Sequence, residues 1–231
     1  MRNLMAAAAV AAALACPCLD GATSAVAAQA DRTARATEDP TFSRVPLMCP
    51  AARGLGCGSR AKPVLLDLQK PPVVQEAWLN RTGDMLAVIW THSTGATERQ
   101  SVLAAVAETH SVSIDELDAA ARDAALAGFR AGAGWRQGTD VDQLSAQEAR
   151  VIADRLLRRV AVSTPTVQRT IAAVEPALTE TIRRQLVSSC TSPRQCKDAL
   201  LTAAQPHLGK SELAALKEAI DRGFTPVGHE Q

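Results

Sequence analysis

Up to Ile114 short β-rich runs alternate with helical ones, and beyond it the apolar residues recur almost wholly at spacings of three and four. That switch predicts an α+β chain, with a strand-bearing half followed by a mostly α-helical C-terminal region. In the first half, Val73 to Arg81 and Asp84 to Thr91 are β-rich runs around Asn80-Arg81-Thr82-Gly83, where the glycine supplies the positive φ of a tight hairpin. Arg60 to Lys70 sets Val64, Leu65 and Leu68 on one helical face before Pro71-Pro72 ends it, and Thr97 to Thr109 does the same with Val102, Leu103 and Val106. With a short strand at Phe42 and another over Ser111 to Ile114, the order reads strand, helix, strand, strand, helix, strand.

In the second half, Ser113 and Glu116 read as a capping box for a helix through Phe129, and Gly132, Gly134 and Gly138 around Trp135 mark a break. Ser145 and Glu148 read as the cap of the next helix, with Ala149, Ile152, Leu156 and Val160 as its apolar stripe. Thr164-Pro165 opens another, which Pro176 is expected to kink or split. Ser192-Pro193 and Ser211 start two short helices, and Gly223 ends the last. The expected organisation is a leader over 1–30, a flexible lead-in over 31–41, a strand-bearing domain over 42–114, a helix and Gly-rich linker over 115–139, and a helical domain over 140–231.

Residues 1–30 have the layout of a secretory signal peptide: Met1-Arg2, the apolar run Leu4 to Ala15, then small residues. Ala28-Gln29-Ala30 places cleavage before Asp31, and Leu14-Ala15-Cys16 offers a competing lipid-anchored start at Cys16. The expected location is the periplasm or the exterior. No later segment is apolar for long enough to cross a membrane. Lys+Arg 25 against Asp+Glu 24 gives net charge +1, without the basic excess that nucleic acid demands, and six aromatic residues (three Phe, three Trp) offer no base-stacking platform.

Export gives the cysteines their meaning. After cleavage Cys49, Cys57, Cys190 and Cys196 remain, an even set that predicts disulfides; the short spacings suggest local pairs, with other pairings open. Cys190 and Cys196 flank a helix-to-helix turn and are expected to be joined as a disulfide. For Cys49 and Cys57 two readings stand: a disulfide, or a thiolate pair near a helix N-terminus that suits a soft, low-coordinate ion such as Hg(II) or Cu(I). Glycines 54, 56 and 58 let the intervening loop fold back.

With that order in place, residues 42–114 resemble the heavy-metal-associated (HMA) domain, the ferredoxin-like βαββαβ module of copper chaperones and periplasmic mercury-binding proteins. The residues that carry the likeness are Met48-Cys49, Cys57 opening a helix, Val74, Ala77, Leu79 and Asn80, then Gly83 and Leu86-Ala87-Val88. Ala105-Val106-Ala107-Glu108 and Ser111-Val112-Ser113-Ile114 resemble the family's second helix and last strand. The family separates its two cysteines by two residues, and here Pro50 to Gly56 stand between them. The resemblance implies a ferredoxin-like fold, Cys49 and Cys57 as metal ligands, and Met48 packed inward.

Other chemistry is thin. His92, His110, His207 and His229 are scattered without ligand spacing, and there is no Gly-x-Ser-x-Gly, P-loop or His-Glu-x-x-His, so no enzyme is expected. Asp67 and Glu76 read as surface charges, and Arg158-Arg159 and Arg183-Arg184 as solvated helix faces. Two functions follow: a periplasmic soft-metal binding or delivery protein whose helical region docks a partner, or an exported interaction protein stapled by two disulfides.

Overall fold

The computed structural model describes residues 40–132, 134–164, 168–188 and 192–228. The expected signal peptide, Cys16, most of the lead-in and Cys190 lie outside the described residues. Alternation decides the sheet. Along β2 (Val74–Asn80) and β3 (Met85–Trp90), Ala77, Leu79, Leu86, Val88 and Trp90 point to one face, while Trp78, Ala87 and Ile89 point to the other. Both faces are covered, which is why these strands read as nearly unbroken apolar runs. The hairpin joining them turns at Gly83, whose φ is +77°. The Asn80 side-chain oxygen accepts from the backbone N–H groups of Gly83, Asp84 and Met85, fixing the turn.

β1 (Thr41–Arg44) pairs antiparallel with β3, Thr41 opposite Val88. One face is filled by α1 (Gly58–Leu68) and α2 (Ala96–His110). The other carries α3 (Ala119–Arg130), where Phe42, Trp78, Phe129 and Trp135 meet edge to face at centroid distances of 5.2–5.9 Å.

The self-contained, four-stranded ferredoxin-like domain expected over 42–114 does not hold. The sheet has five antiparallel strands in the order β4-β1-β3-β2-β5, and both edge strands come from beyond Ile114. β4 is the two-residue Asp115–Glu116, paired with β1, so Ser111 to Ile114 is not a strand. β5 (Trp135–Gln137) pairs with β2, Trp78 opposite Gln137, and draws the expected linker into the sheet. The reason is the aromatic cluster: Phe129 and Trp135 bury themselves against Phe42 and Trp78, and the intervening chain follows them onto the sheet. From Pro40 onward the described residues form one compact unit.

The helical part builds a second core from α4 (Asp142–Ser163), α5 (Gln168–Ser188), α6 (Pro193–Ala204) and α7 (Lys210–Asp221), with Ile152, Leu156, Val160, Val174, Leu178, Leu200 and Leu216 inside. Pro176 sits within α5 without splitting it. Ser192 caps α6, its Oγ accepting from the Gln195 N–H, with Pro193 at the first helical position. Three other starts differ from expectation. α3 is capped by Asp118, α4 begins at Asp142 and so takes Ser145 and Glu148 into its body, and α7 follows Gly209, whose N–H donates to Glu212. The start of α4 positions everything below, because Val141 and Leu144 pack into the sheet core while Ile152, Leu156 and Val160 face the second core.

Candidate metal centre: Cys49, Cys57 and Glu148

Between β1 and α1 the chain makes a narrow excursion that returns on itself. The Cys57 N–H donates to the Leu47 carbonyl at 2.7 Å and the Cys49 N–H to the Leu55 carbonyl at 2.8 Å, on either side of a Met48–Gly56 bridge. Register does the rest: Cys49, opposite Leu55, and Cys57, opposite Leu47, flank the Met48–Gly56 rung and so fall on the same face of the ladder. The ladder is bound to the hairpin by Leu47 N–H to Gly83 O at 2.9 Å and Gly56 N–H to Arg81 O at 2.7 Å. Glycine is required where the two meet, since a Cβ on Gly83 would lie 2.5 Å from the Gly56 Cα and 2.6 Å from the Leu47 carbonyl oxygen. Met48, expected inside, is 53 % exposed, because the alternation that turns Cys49 and Cys57 inward turns it out.

Cys57 is the residue before the first turn of α1, so its sulfur sits where the helix's unpaired N–H groups favour negative charge. The tip of the loop is apolar: Ala52 and Leu55 bury with the two cysteines, and Val151 of α4 closes over them. One turn before Val151, α4 presents Glu148. The Cys49 thiol donates to Glu148 Oε1 at 3.0 Å, and Cys57 Sγ lies 3.3 Å from Ser59 Oγ. Relative exposures of 3 % for Cys49, 7 % for Cys57 and 3 % for Glu148 place all three away from solvent. Their ligand atoms lie within 4.8 Å of one another, and no other group of three His, Cys, Asp or Glu side chains converges in this way among the described residues. Both cysteines are free thiols in this structure.

The electrostatics divide the pair. Cys57 is lowered to about 5 by the hydrogen bond from Cys49, with further help from Ser59, the Arg60 amide and the Arg60 charge, against the cost of burial. Cys49 is pushed up, first by the neighbouring Cys57 sulfur, then by burial and by Glu148. Burial raises Glu148 to about 7 and the sulfur charge adds to it, opposed by the Cys49 hydrogen bond. The pair therefore favours one thiolate, on Cys57, beside one thiol, on Cys49, while burial makes the Glu148 carboxyl hold its proton more readily than an exposed one. Such a set releases protons readily to a thiophilic cation.

Glu148 went unnoticed in the sequence because Ser145 and Glu148 match a capping box. The available signal was its row: Leu144, Glu148 and Ile152 follow at i, i+4, and a carboxylate in an apolar row is either paired or functional. The other expected residues lie elsewhere. Cys196 is disulfide-bonded, and Cys190, its expected partner, is outside the described residues. Asp67 accepts from His110 Nε2 at 2.8 Å and pairs with Lys70, and Glu76 accepts from Trp78 Nε1 at 2.9 Å. Arg159, expected in solvent, is 5 % exposed, while Arg158 beside it stays outside with Asp154.

Compared with protein-family models, with curated proteins and with solved structures, the chain matches none.

Proposed function

We propose that this protein binds a soft metal ion, Hg(II) or Cu(I), between Cys49 and Cys57 in the periplasm, and holds or delivers it there. The observation that carries this reading is the convergence of two unbonded, buried thiols beside a helix N-terminus, one of them with a lowered pKa. Soft sulfur donors prefer such ions over the hard cations of the medium, and thiolates at a helix start form at lower cost. The likeness of Met48-Cys49 and of Cys57 at a helix start to the heavy-metal-associated family supports the same reading, although the fold that the family implies does not hold. The helical region would then be the part that meets a protein partner. No helix among the described residues is long and apolar enough to cross a membrane.

The competing reading, an exported scaffold with two structural disulfides, requires Cys49 and Cys57 to be joined, and here they are separate. The deciding experiment is titration of reduced, metal-free protein with Hg(II) and Cu(I) against a competing chelator. One ion per chain is expected, with affinity falling at least about a hundredfold in Cys49→Ser and in Cys57→Ser. Unchanged binding in both variants, or a Cys49–Cys57 disulfide that resists mild reductant, overturns the proposal.

A further inference from the structure

Glu148 gives the site a charge requirement that two cysteines alone would not have. We infer that Glu148 is a third ligand and that the centre selects a divalent thiophilic cation, such as Hg(II), Cd(II) or Zn(II), over Cu(I). This rests on the proposed metal-binding role of Cys49 and Cys57.

Three features support it. The first is geometry: Glu148 Oε1 is 3.0 Å from Cys49 Sγ, and the three ligand atoms fall within 4.8 Å. A tetrahedral shell with bonds of about 2.3 Å to sulfur and about 2.1 Å to oxygen spaces its ligand atoms by about 3.6 to 3.8 Å, so small side-chain rotations close the set on one ion. The second is an unfilled valence. Glu148 is 3 % exposed, and although the Gly58 amide and the Cys57 sulfur act on its carboxyl, its Oε2 has no hydrogen bond of ordinary geometry, an expensive arrangement for a carboxylate unless a cation takes that place. The third is charge. Two thiolates and a carboxylate carry three negative charges; a monovalent ion leaves two of them uncompensated in a buried site, a divalent ion only one. The start of α1, worth about half a positive charge, offsets much of that last charge. Two thiolates without the carboxylate would leave a single negative charge around Cu(I), which the start of α1 largely offsets, so it is the carboxylate that carries Cu(I) beyond what the site can compensate.

The test compares Cd(II), Hg(II) and Cu(I) binding by reduced full-length protein with that of Glu148→Gln, which keeps shape and an acceptor oxygen but removes the charge. Affinity for Cd(II) and Hg(II) is expected to fall about tenfold or more while Cu(I) affinity holds or rises, and the 113Cd resonance to move as the oxygen donor weakens. Glu148→Cys supplies the second arm: if position 148 reaches the ion, the ultraviolet thiolate-to-Cd(II) charge-transfer band grows by about half as a third sulfur joins two. Equal loss for all three ions in Glu148→Gln, or no change for any, overturns the inference, and so does an unaltered band in Glu148→Cys. If Cys49→Ser and Cys57→Ser also bind normally, the metal-binding reading itself fails. If only the Glu148 variants bind normally, that reading stands and the third ligand falls.

Discussion

At the scale of single residues, the three side chains of the centre pull stability in opposite directions as pH changes. Cys57 is lowered from 9.0 to about 5, so between those values the unfolded chain holds a proton that the folded chain lacks, and stability rises with pH. Glu148 is raised from 4.5 to about 7, so over that range the folded chain holds the extra proton and stability falls with pH. The two oppose one another up to about 7, above which Cys57 acts alone. Cys49, pushed up, reverses the slope again above 9.0. The melting temperature of metal-free, reduced protein is therefore expected to climb between about pH 7 and 9, and Cys57→Ser to abolish that climb. A wild-type curve that is flat there, or a variant that keeps the rise, contradicts the assignment of the thiolate to Cys57.

At the scale of elements, the centre depends on how closely α1 approaches α4. A Cβ on Gly58 would lie 2.2 Å from Ser145 Oγ, 2.8 Å from the Ser145 nitrogen and 3.0 Å from the Val141 carbonyl oxygen. Gly58→Ala is expected to cost about 1 to 3 kcal/mol by overpacking and to push Cys57 away from Glu148, which faster alkylation of Cys57 would report. Gly54 has a φ of +75° but open space around it, so Gly54→Ala strains only the loop backbone and should leave alkylation unchanged. The sequence made this region partly legible. Cys57 opening a helix and the Asn80–Gly83 turn follow from local chemistry, as do the α6 cap at Ser192 and the Gly223 terminus. β4 and β5 did not, because two- and three-residue edge strands carry no periodicity of their own and are held by what they pair with. Glu148 was hidden for a similar reason: its role depends on a loop 99 positions away. The helix start was misplaced because Ser145 and Glu148 carry a capping pattern that serves burial instead.

At the scale of the whole molecule, two buried arginines of α4 hold the segment after α7, and one of them, Arg155, ties it to the cysteine loop. Arg155 Nη1 donates to the Ala51 carbonyl at 2.5 Å and to the Phe224 carbonyl at 2.6 Å, and Arg159 donates to Gly223 and Thr225 at 2.6 and 3.0 Å. Neither side chain is more than 6 % exposed. Removing residues 223–231 strips the three carbonyl acceptors of Gly223, Phe224 and Thr225 from these buried charges, and a loss of about 4 kcal/mol or more in urea unfolding is expected, since each hydrogen bond to a charged group is worth about 1.5 to 3 kcal/mol. Amide hydrogen exchange over 49–57 should quicken in the same truncation; exchange confined to the C-terminal helix would show that Arg155 does not couple the two.

The ladder that seats Cys57 against Leu47 has a kinetic consequence. Both cysteines are buried among Ala52, Leu55 and Val151, so an ion held there as proposed would lie beyond a partner's reach by collision alone. Its transfer would have to wait for the loop to breathe, so handover would run at the protein's own rhythm and level off however much acceptor is supplied.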